Sequence, residues 1–320
     1  MSNANESKVP AFASWSNDLP APLLIILRGV GQVFFQENAL SGLCFILGIA
    51  AGSPIMAIAA FVGSAIGMAT AALLKFDQAE IAAGIHGFNP ALVGIATFFF
   101  FQFGVGSLLL MIGGCIAATL LTWAMRRHVP FPTYTTPFIV TTWCLFFLGR
   151  AMGLAPSLPG APVEASNLLV AASHGVAQVM FQASLWTAFF FLLGIAIGDW
   201  RHAAWVAVGA IVGTLLANYH VTAATRTIDP ERLVERALTE NIALGLYGYN
   251  ATLAAVALFL WRRSLIPPLL GVIISVPLTE SFPLLGLPAL TAPFVLATWI
   301  VLAMGRLDPI IFPSRTSTPG

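Results

Sequence analysis

Long apolar runs separated by short polar breaks make up most of this chain. Residues 40–51, 108–121 and 183–197 contain no charged side chain. A helix needs about 20 apolar residues to cross the hydrocarbon core of a bilayer. Because only helices and closed barrels satisfy their backbone groups in lipid, the runs predict an all-α integral membrane protein with about ten crossings.

The sequence also contains an internal repeat. The islands at 29–36 (G-V-G-Q-V-F-F-Q) and 84–89 (G-I-H-G-F-N) recur in order at 175–182 and 245–250. A third island, P-T-Y-T-T-P-F-I-V-T-T-W from Pro132, recurs as P-A-L-T-A-P-F-V-L-A-T-W from Pro288. Internal repeats in an apolar chain are typical of transporters and channels whose substrate path lies between the copies.

The repeat divides the chain. We predict a polar tail over 1–20, a first membrane repeat over 21–150 and a linker over 151–166 that contains a stretch rich in proline and glycine. A second membrane repeat then covers 167–305, and a polar tail covers 306–320.

Glycine spacing indicates close packing and a broken helix in each copy. Gly63/Gly67 and Gly209/Gly213 form a G-x-x-x-G at one offset, a spacing that lets membrane helices approach closely. Residues 81–89 and 242–250 are short and glycine-broken, and a fresh apolar run follows each. We predict a re-entrant half-helix there, which membranes tolerate only where it lines a cavity or is buried in protein.

Five crossings per copy would invert the second copy relative to the first, and charge supports this. One side would carry seven cations: Lys75, Arg126, Arg127, Arg201, Arg262, Arg263 and Arg306. The other side would carry Arg150, Arg226, Arg232 and Arg236. We expect the richer side, which also holds both termini, to be cytoplasmic.

Composition excludes several function classes. Hydrophobic residues make up 58% of the chain and charged residues only 8%, against about 25% charge in a soluble domain. A net charge of +1 implies no nucleic-acid partner. Cys44, Cys115 and Cys144 show no pairing or metal-ligand spacing, so we expect small core residues and no metal or other cofactor.

The polar residues that the two copies share in their apolar zones are all neutral: Gln32/Gln178, Thr135/Thr291 and Asn89/Asn250. Ion pathways normally use charged side chains or rings of carbonyls, so this set favours an uncharged polar solute. The shared apolar pairs Phe35/Phe181, Phe88/Tyr249 and Leu92/Leu253 suit a flat slot. Each polar residue has an alternative role: the threonines as donors to their own helix, and the asparagines as caps of the broken helices.

Four motifs resemble the urea transporter family of bacteria and animals. They are G-x-G-Q-V-x-F-x-x-N-x-x-S-G at 29–42, G-F-N-P-x-L-V-G at 87–94, G-Y-N-x-x-L-A at 248–254 and L-P-x-L-T-x-P-F at 287–294. The resemblance runs from about Arg28 to Trp299. It implies ten membrane helices with two re-entrant pore helices, a homotrimer with one pore per protomer, and passive permeation of urea. We therefore expect a bacterial member in the inner membrane, surrounded by lipid.

The resemblance also implies roles for individual residues. It places Gln32 and Gln178 near the two pore mouths, and Thr135 and Thr291 at a central constriction. It places the following residues in the two slots: Val33, Phe35, Phe88 and Leu92 in one, and Val179, Phe181, Tyr249 and Leu253 in the other. Tyr249 stands where phenylalanine is usual, and its hydroxyl would either narrow the slot or bind the solute.

Three alternatives stay open. A channel for ammonia, water or short amides would use the same slot, although His86 and His174, the histidines that an ammonia pore would pair, are not repeat-equivalent. A proton-coupled transporter would need an intramembrane carboxylate, for which Glu37 is the candidate. An intramembrane enzyme would need a nucleophile with a base, or metal ligands at helical spacing, and the sequence contains neither pattern.

Overall fold

The computed structural model describes residues 21–158, 165–227 and 240–307. These residues form helices and connecting turns without a named strand, and the one isolated bridge joins Phe101 and Pro156. The predicted all-α fold is confirmed. The predictions for residues 1–20 and 308–320, for 159–164 of the linker, and for Arg232 and Arg236 lie outside the described residues.

Among the described residues, six helices follow the same order in each copy, and the short helix Gln78–Ala82 of the first copy corresponds to the helical residues 240–243 of the second. Those of the first copy are α1 (Ala21–Gly31), α2 (Ala39–Gly52), α3 (Pro54–Leu73), α4 (Gln78–Ala82), α5 (Phe88–Phe100), α6 (Val105–His128) and α7 (Thr136–Ala151). Those of the second copy are α8 (Leu168–Gln178), α9 (Leu185–Gly198), α10 (Trp200–Thr227), α11 (Gly248–Trp261), α12 (Ile266–Ser281) and α13 (Ala292–Leu307). In the first copy, the chain bends by 74° between α1 and α2.

The equivalent helices α2 and α9 pack against each other and run antiparallel. Ser41, near the start of α2, donates its hydroxyl to the carbonyl of Gly194 near the end of α9 at 2.7 Å. Thr187, near the start of α9, donates to the carbonyl of Gly48 near the end of α2, also at 2.7 Å. Since equivalent helices point in opposite directions and exchange matching contacts, the two copies are inverted about a two-fold axis between them.

The half-length helices lie later in the chain than predicted. Residues 83–87 and 244–247 are turns, in which Gly84 and Gly245 adopt φ of 78° and 76°. This left-handed conformation ends the preceding helical turn and suits glycine. The short helices are instead α5 and α11, which span only about 20 Å at 1.5 Å per residue. Most of their residues are buried in protein.

The repeated G-x-x-x-G brings α3 onto α5 and α10 onto α11. A Cβ on Gly63 would collide with the carbonyl of Pro90, and one on Gly67 with the carbonyl of His86. In the second copy, a Cβ on Gly209 would lie 2.8 Å from the carbonyl oxygen of Ala251. These glycines therefore permit the backbone contact that holds each half-length helix inside the protein.

Four of the described helices, α3, α6, α10 and α12, are long and apolar enough to cross a bilayer, or five spans if the bent α1–α2 pair counts as one. The other helices of ten or more residues are apolar but shorter. The expectation of five crossings per copy stays a prediction.

Candidate functional site

Two tryptophans bring the third island of each copy together. Trp143 on α7 donates its Nε1–H to the carbonyl of Pro288 at 2.9 Å. Trp299 on α13 donates to the carbonyl of Pro132 at the same distance. Because Trp143/Trp299 and Pro132/Pro288 are equivalent pairs, this exchange places the first turns of α7 and α13 side by side near the two-fold axis.

Thr135 and Thr291 meet on that axis. Their hydroxyl oxygens lie 2.7 Å apart, and the two residues are only 4% and 3% exposed. Two equivalent residues that touch each other must lie on the axis that relates their copies. The alternative role of the threonines, donation to their own helix, is wrong because the hydroxyls bind each other.

Asn89 and Asn250 make this arrangement possible. Asn89 Oδ1 accepts the backbone N–H of Phe138 in the first turn of α7 at 3.1 Å. Asn250 Oδ1 accepts the equivalent N–H of Phe294 at 3.1 Å. The expectation that these asparagines cap their own broken helices is wrong, because each caps the helix that follows its threonine. With that cap supplied from outside, the threonine hydroxyl is free to face the axis.

The backbone around the threonines is strained in matched pairs. Tyr134 and Leu290, directly before the two threonines, have φ of 45° and 47°, and Phe35 and Phe181 have φ of 60° and 61°. A non-glycine residue in this region costs about 1–3 kcal/mol and persists where surrounding structure fixes it. The same strain at equivalent positions in both copies marks these turns as parts of one site.

Both copies contribute aromatic rings to each slot. The Phe35 ring lies 6.0 Å from Tyr134 and 6.3 Å from Phe294. The Phe181 ring lies 6.2 Å from Phe138, the equivalent of Phe294, and 4.8 Å from Phe99. Thus each candidate slot has a phenylalanine from one copy facing the first turn of α7 or α13 of the other.

The aliphatic candidates are core residues. Val33, Leu92, Val179 and Leu253 are at most 2% exposed and belong to one central cluster. Phe88 is partly buried and packs against that cluster. These five side chains therefore belong to the packed core around the candidate slots.

The two glutamines differ in their surroundings. Gln32 Nε2 donates to the carbonyl of Ala83, in the turn that follows α4, at 2.9 Å. Gln178, at the end of α8, lines a cavity. The first glutamine thus supports a turn, while the second faces open space.

This cavity has a volume of about 380 Å³ and lies on the second-copy side of the threonine pair. It brings together five of the predicted site residues: Gln178, Val179, Phe181, Tyr249 and Thr291. The Tyr249 hydroxyl donates to the carbonyl of Leu290 at 2.5 Å.

Further residues, which the sequence did not predict, line the cavity. They include Phe99, Phe100, Phe138, Tyr247, Glu280 and Leu290. The recurrence of Phe138 as Phe294 in the third island was a signal for the first-turn phenylalanines. Glu280 carried no such signal, because its repeat equivalent is not acidic.

The remaining candidates are accounted for by packing. His86, 1% exposed, lies 3.3 Å from Glu80 Oε2, and His174 Nδ1 lies 2.7 Å from the carbonyl of Ala243. The expectation that all three cysteines are core residues is wrong for Cys144, which is exposed on the outer face of α7. Within the described residues, no group of three or more His, Cys, Asp or Glu side chains is placed to hold a metal ion.

Comparison with known proteins agrees with these features. Residues 23–306 match the family model described as urea transporter. Urea transporter 1 of Ovis aries is 26% identical to the chain in an alignment that covers 94% of this chain and 82% of the sheep protein. Urea transporter 1 of Mus musculus is also 26% identical, with the same coverage of both chains. The family match includes both copies of the repeat and every predicted site residue.

Proposed function

Because the chain belongs to the urea transporter family and carries urea across a membrane as a multi-pass protein, we propose that urea passes passively through a pore between its two inverted copies. In each protomer, urea would move through the two aromatic slots and past the pair formed by Thr135 and Thr291. No ion gradient would drive it.

The contact between Thr135 and Thr291 is the observation that carries the proposal. Two hydroxyls on the axis can donate and accept, so a solute with both N–H groups and a carbonyl can replace their mutual bond with bonds to itself. Such replacement avoids the cost of stripping a polar solute of water without compensation, about 2–7 kcal/mol. The strained turns and asparagine caps support fixed hydroxyl positions, and the rings of Phe35 and Phe181 support a narrow passage for a planar molecule.

The surroundings of Glu37 favour passive flow over proton coupling. Glu37 is exposed, and the slots are lined by neutral side chains at the matched positions. A pore for ammonia would be built around paired histidines, whereas His86 and His174 make separate packing contacts. We further infer that the protein is a transporter without enzymatic activity and without a cofactor.

We propose that the protein is a bacterial inner-membrane homotrimer with both termini in the cytoplasm. The family resemblance supports the trimer, and the cation bias supports the orientation. Arg306 near the end of α13 donates to the carbonyl of Pro130 just after α6 at 3.0 Å. Arg306, Arg126 and Arg127 therefore lie at the same end of the molecule. Exposed apolar residues such as Trp186, 69% exposed, would face lipid or a neighbouring protomer.

Thiol labelling tests the orientation. A single cysteine introduced at residue 3 or 318, in a variant whose Cys44, Cys115 and Cys144 are replaced by alanine, should react with a membrane-impermeant maleimide only after intact cells are opened. Labelling of intact cells would contradict it. Urea entry into proteoliposomes, with and without an imposed pH gradient, tests passive permeation.

A further inference from the structure

One end of the cavity carries a carboxylate. Glu280, near the end of α12, lines it together with Asn241 and Tyr247. Both carboxylate oxygens of Glu280 lie close to His220 Nδ1, at 3.0 and 3.2 Å. The side chains of Glu280 and His220 are 29% and 36% exposed. The pair therefore lies at the rim, where the cavity meets solvent.

The other end of the molecule lacks this charge at the matching position. Thr122 and Thr279 are equivalent, because each accepts a hydrogen bond from Nδ2 of the matching asparagine. The residue after Thr122 is Trp123, which stacks on Phe76 with ring centroids 5.2 Å apart. Glu280 thus makes the two ends of the candidate pore chemically different.

The inverted arrangement also separates Glu280 from the main cluster of cations. Helices α6 and α12 are equivalent and belong to inverted copies, so they end at opposite ends of the molecule. The last turn of α6 carries Arg126 and Arg127, while the last turn of α12 carries Glu280. A cation that approaches Glu280 is therefore not repelled by those arginines.

The walls beside Glu280 suit a flat cation. The rings of Phe99, Phe100, Phe181 and Tyr249 line the cavity, and the Gln178 side chain adds a neutral acceptor. Cations are attracted to aromatic faces, and a guanidinium group forms paired hydrogen bonds to a carboxylate. At about 380 Å³, the cavity has room for such a group.

We propose that the Glu280 end of this cavity binds small planar cations with several N–H donors, of the guanidinium class, and that a bound cation blocks urea entry. His220 positions the carboxylate through its hydrogen bond. Binding of the cation requires only the cavity and its carboxylate. The block rests on the proposed function, because it requires this cavity to lie on the path of urea.

Guanidinium chloride at millimolar concentration is the probe. Its binding to the purified full-length protein is measured by titration calorimetry, and its effect on urea entry is measured in proteoliposomes, with sodium chloride keeping ionic strength constant. We expect saturable binding and inhibition of urea entry. In Glu280→Gln, the concentrations for half-saturation and half-inhibition should both rise about tenfold, or about 1.4 kcal/mol.

Two further variants make the result specific. Glu280→Asp keeps the charge and should retain measurable guanidinium binding. Weaker binding in Glu280→Gln can then be attributed to the lost charge and not to misfolding caused by any change at this position. Glu80→Gln removes a carboxylate that pairs with Arg126 at 2.6 Å at the other end, and it should bind guanidinium like the wild type. Sodium alone should not inhibit.

The outcomes distinguish the two proposals. Absence of guanidinium binding to the wild type, or equal binding to wild type and Glu280→Gln, overturns the site. Inhibition by sodium as strong as by guanidinium also overturns it. Binding that depends on Glu280 without any effect on urea entry supports the site but places the cavity off the urea path, which contradicts the proposed pore.

Discussion

The hydroxyl oxygens of Thr135 and Thr291 lie 2.7 Å apart, although 156 residues separate them in the chain. Each is the repeat equivalent of the other, and each follows a residue in the left-handed region. The bond joins the two copies at their axis, and in the proposed function urea parts these hydroxyls as it crosses between the copies. A hydrogen bond contributes a net free energy of only about 1 kcal/mol, so exchanging the bond between the threonines for bonds to the solute costs little.

A substitution that removes the Thr135 hydroxyl should slow urea entry more than one that keeps the hydroxyl on a smaller side chain. Thr135→Val leaves the Thr291 hydroxyl without its partner and removes one hydrogen bond to urea. An uncompensated buried polar group costs about 1–3 kcal/mol, so urea entry should fall about tenfold. Thr135→Ser keeps the hydroxyl and should stay within about twofold of the wild type. Urea entry into proteoliposomes, followed by stopped-flow light scattering, measures both.

Thr97→Val is the matched control for the threonine variants. Thr97 on α5 is buried, and its hydroxyl donates to the carbonyl of Val93 at 2.8 Å, away from the axis. Its loss should leave urea entry unchanged. An equal decrease in Thr97→Val and Thr135→Val would show that the Thr135 effect is not specific to the pore.

Gln178 should contribute an acceptor to the cavity. Gln178→Leu should lower urea entry about fivefold, for a loss of about 1 kcal/mol. Gln178→Glu keeps an acceptor oxygen, replaces the amide nitrogen by a second one, and should retain entry. Gln102→Leu changes an exposed residue between α5 and α6 and serves as control. Undiminished entry in Gln178→Leu would remove this residue from the path.

Asn89 and Asn250 should be important for stability in equal measure. Each loses two or more buried hydrogen bonds on substitution by alanine, including the cap of α7 or α13. The free energy of unfolding should fall by about 2–4 kcal/mol in either variant. Asn38→Ala, which removes only the cap of α2, should cost about 1 kcal/mol.

Thermal unfolding in detergent, followed by circular dichroism, ranks the asparagine variants by the midpoint of the transition. The midpoints of Asn89→Ala and Asn250→Ala should lie together and below that of Asn38→Ala. If Asn89→Ala were no less stable than Asn38→Ala, the cross-helix cap would not matter.

The glycines between α3 and α5 should not tolerate even a methyl group. In Gly63→Ala, the added Cβ meets the carbonyl of Pro90, and overpacking of this kind costs about 1–3 kcal/mol. Gly113→Ala is the control, because nothing lies within 4 Å of its added Cβ. It should be neutral or stabilising, since alanine favours a helix over glycine by about 1 kcal/mol. Equal stability of the two variants, measured in detergent, would contradict close α3–α5 packing.

Much of the architecture could be predicted because the repeat is visible in the residues. Equivalent islands identified Thr135/Thr291 and Phe35/Phe181 as related pairs, and close packing at Gly63 follows from its spacing. The positions of the half-length helices could not be predicted as well. The glycines of residues 81–89 predict a broken helix, and only the backbone reveals that the positive φ of Gly84 makes the segment a turn before the half-length helix.

Long-range partners were beyond sequence reasoning. Asn89 caps a helix that begins 47 residues later at Thr136, and a cap is predicted locally because side chains usually bond nearby backbone. Tyr134 and Leu290 belong to residue types that rarely adopt positive φ, so their strain has no sequence signal. The cavity that opens toward Glu280 depends on differences between the copies, which a repeat-based comparison does not reveal.

Urea entry into proteoliposomes at increasing urea concentration, with and without a pH gradient, tests passive permeation most directly. The wild type and Glu37→Gln should both give fast initial rates that rise linearly with urea, are unaffected by the gradient and exceed those of empty liposomes. Rates that follow the pH gradient and vanish in Glu37→Gln would contradict passive flow through the Thr135–Thr291 pair.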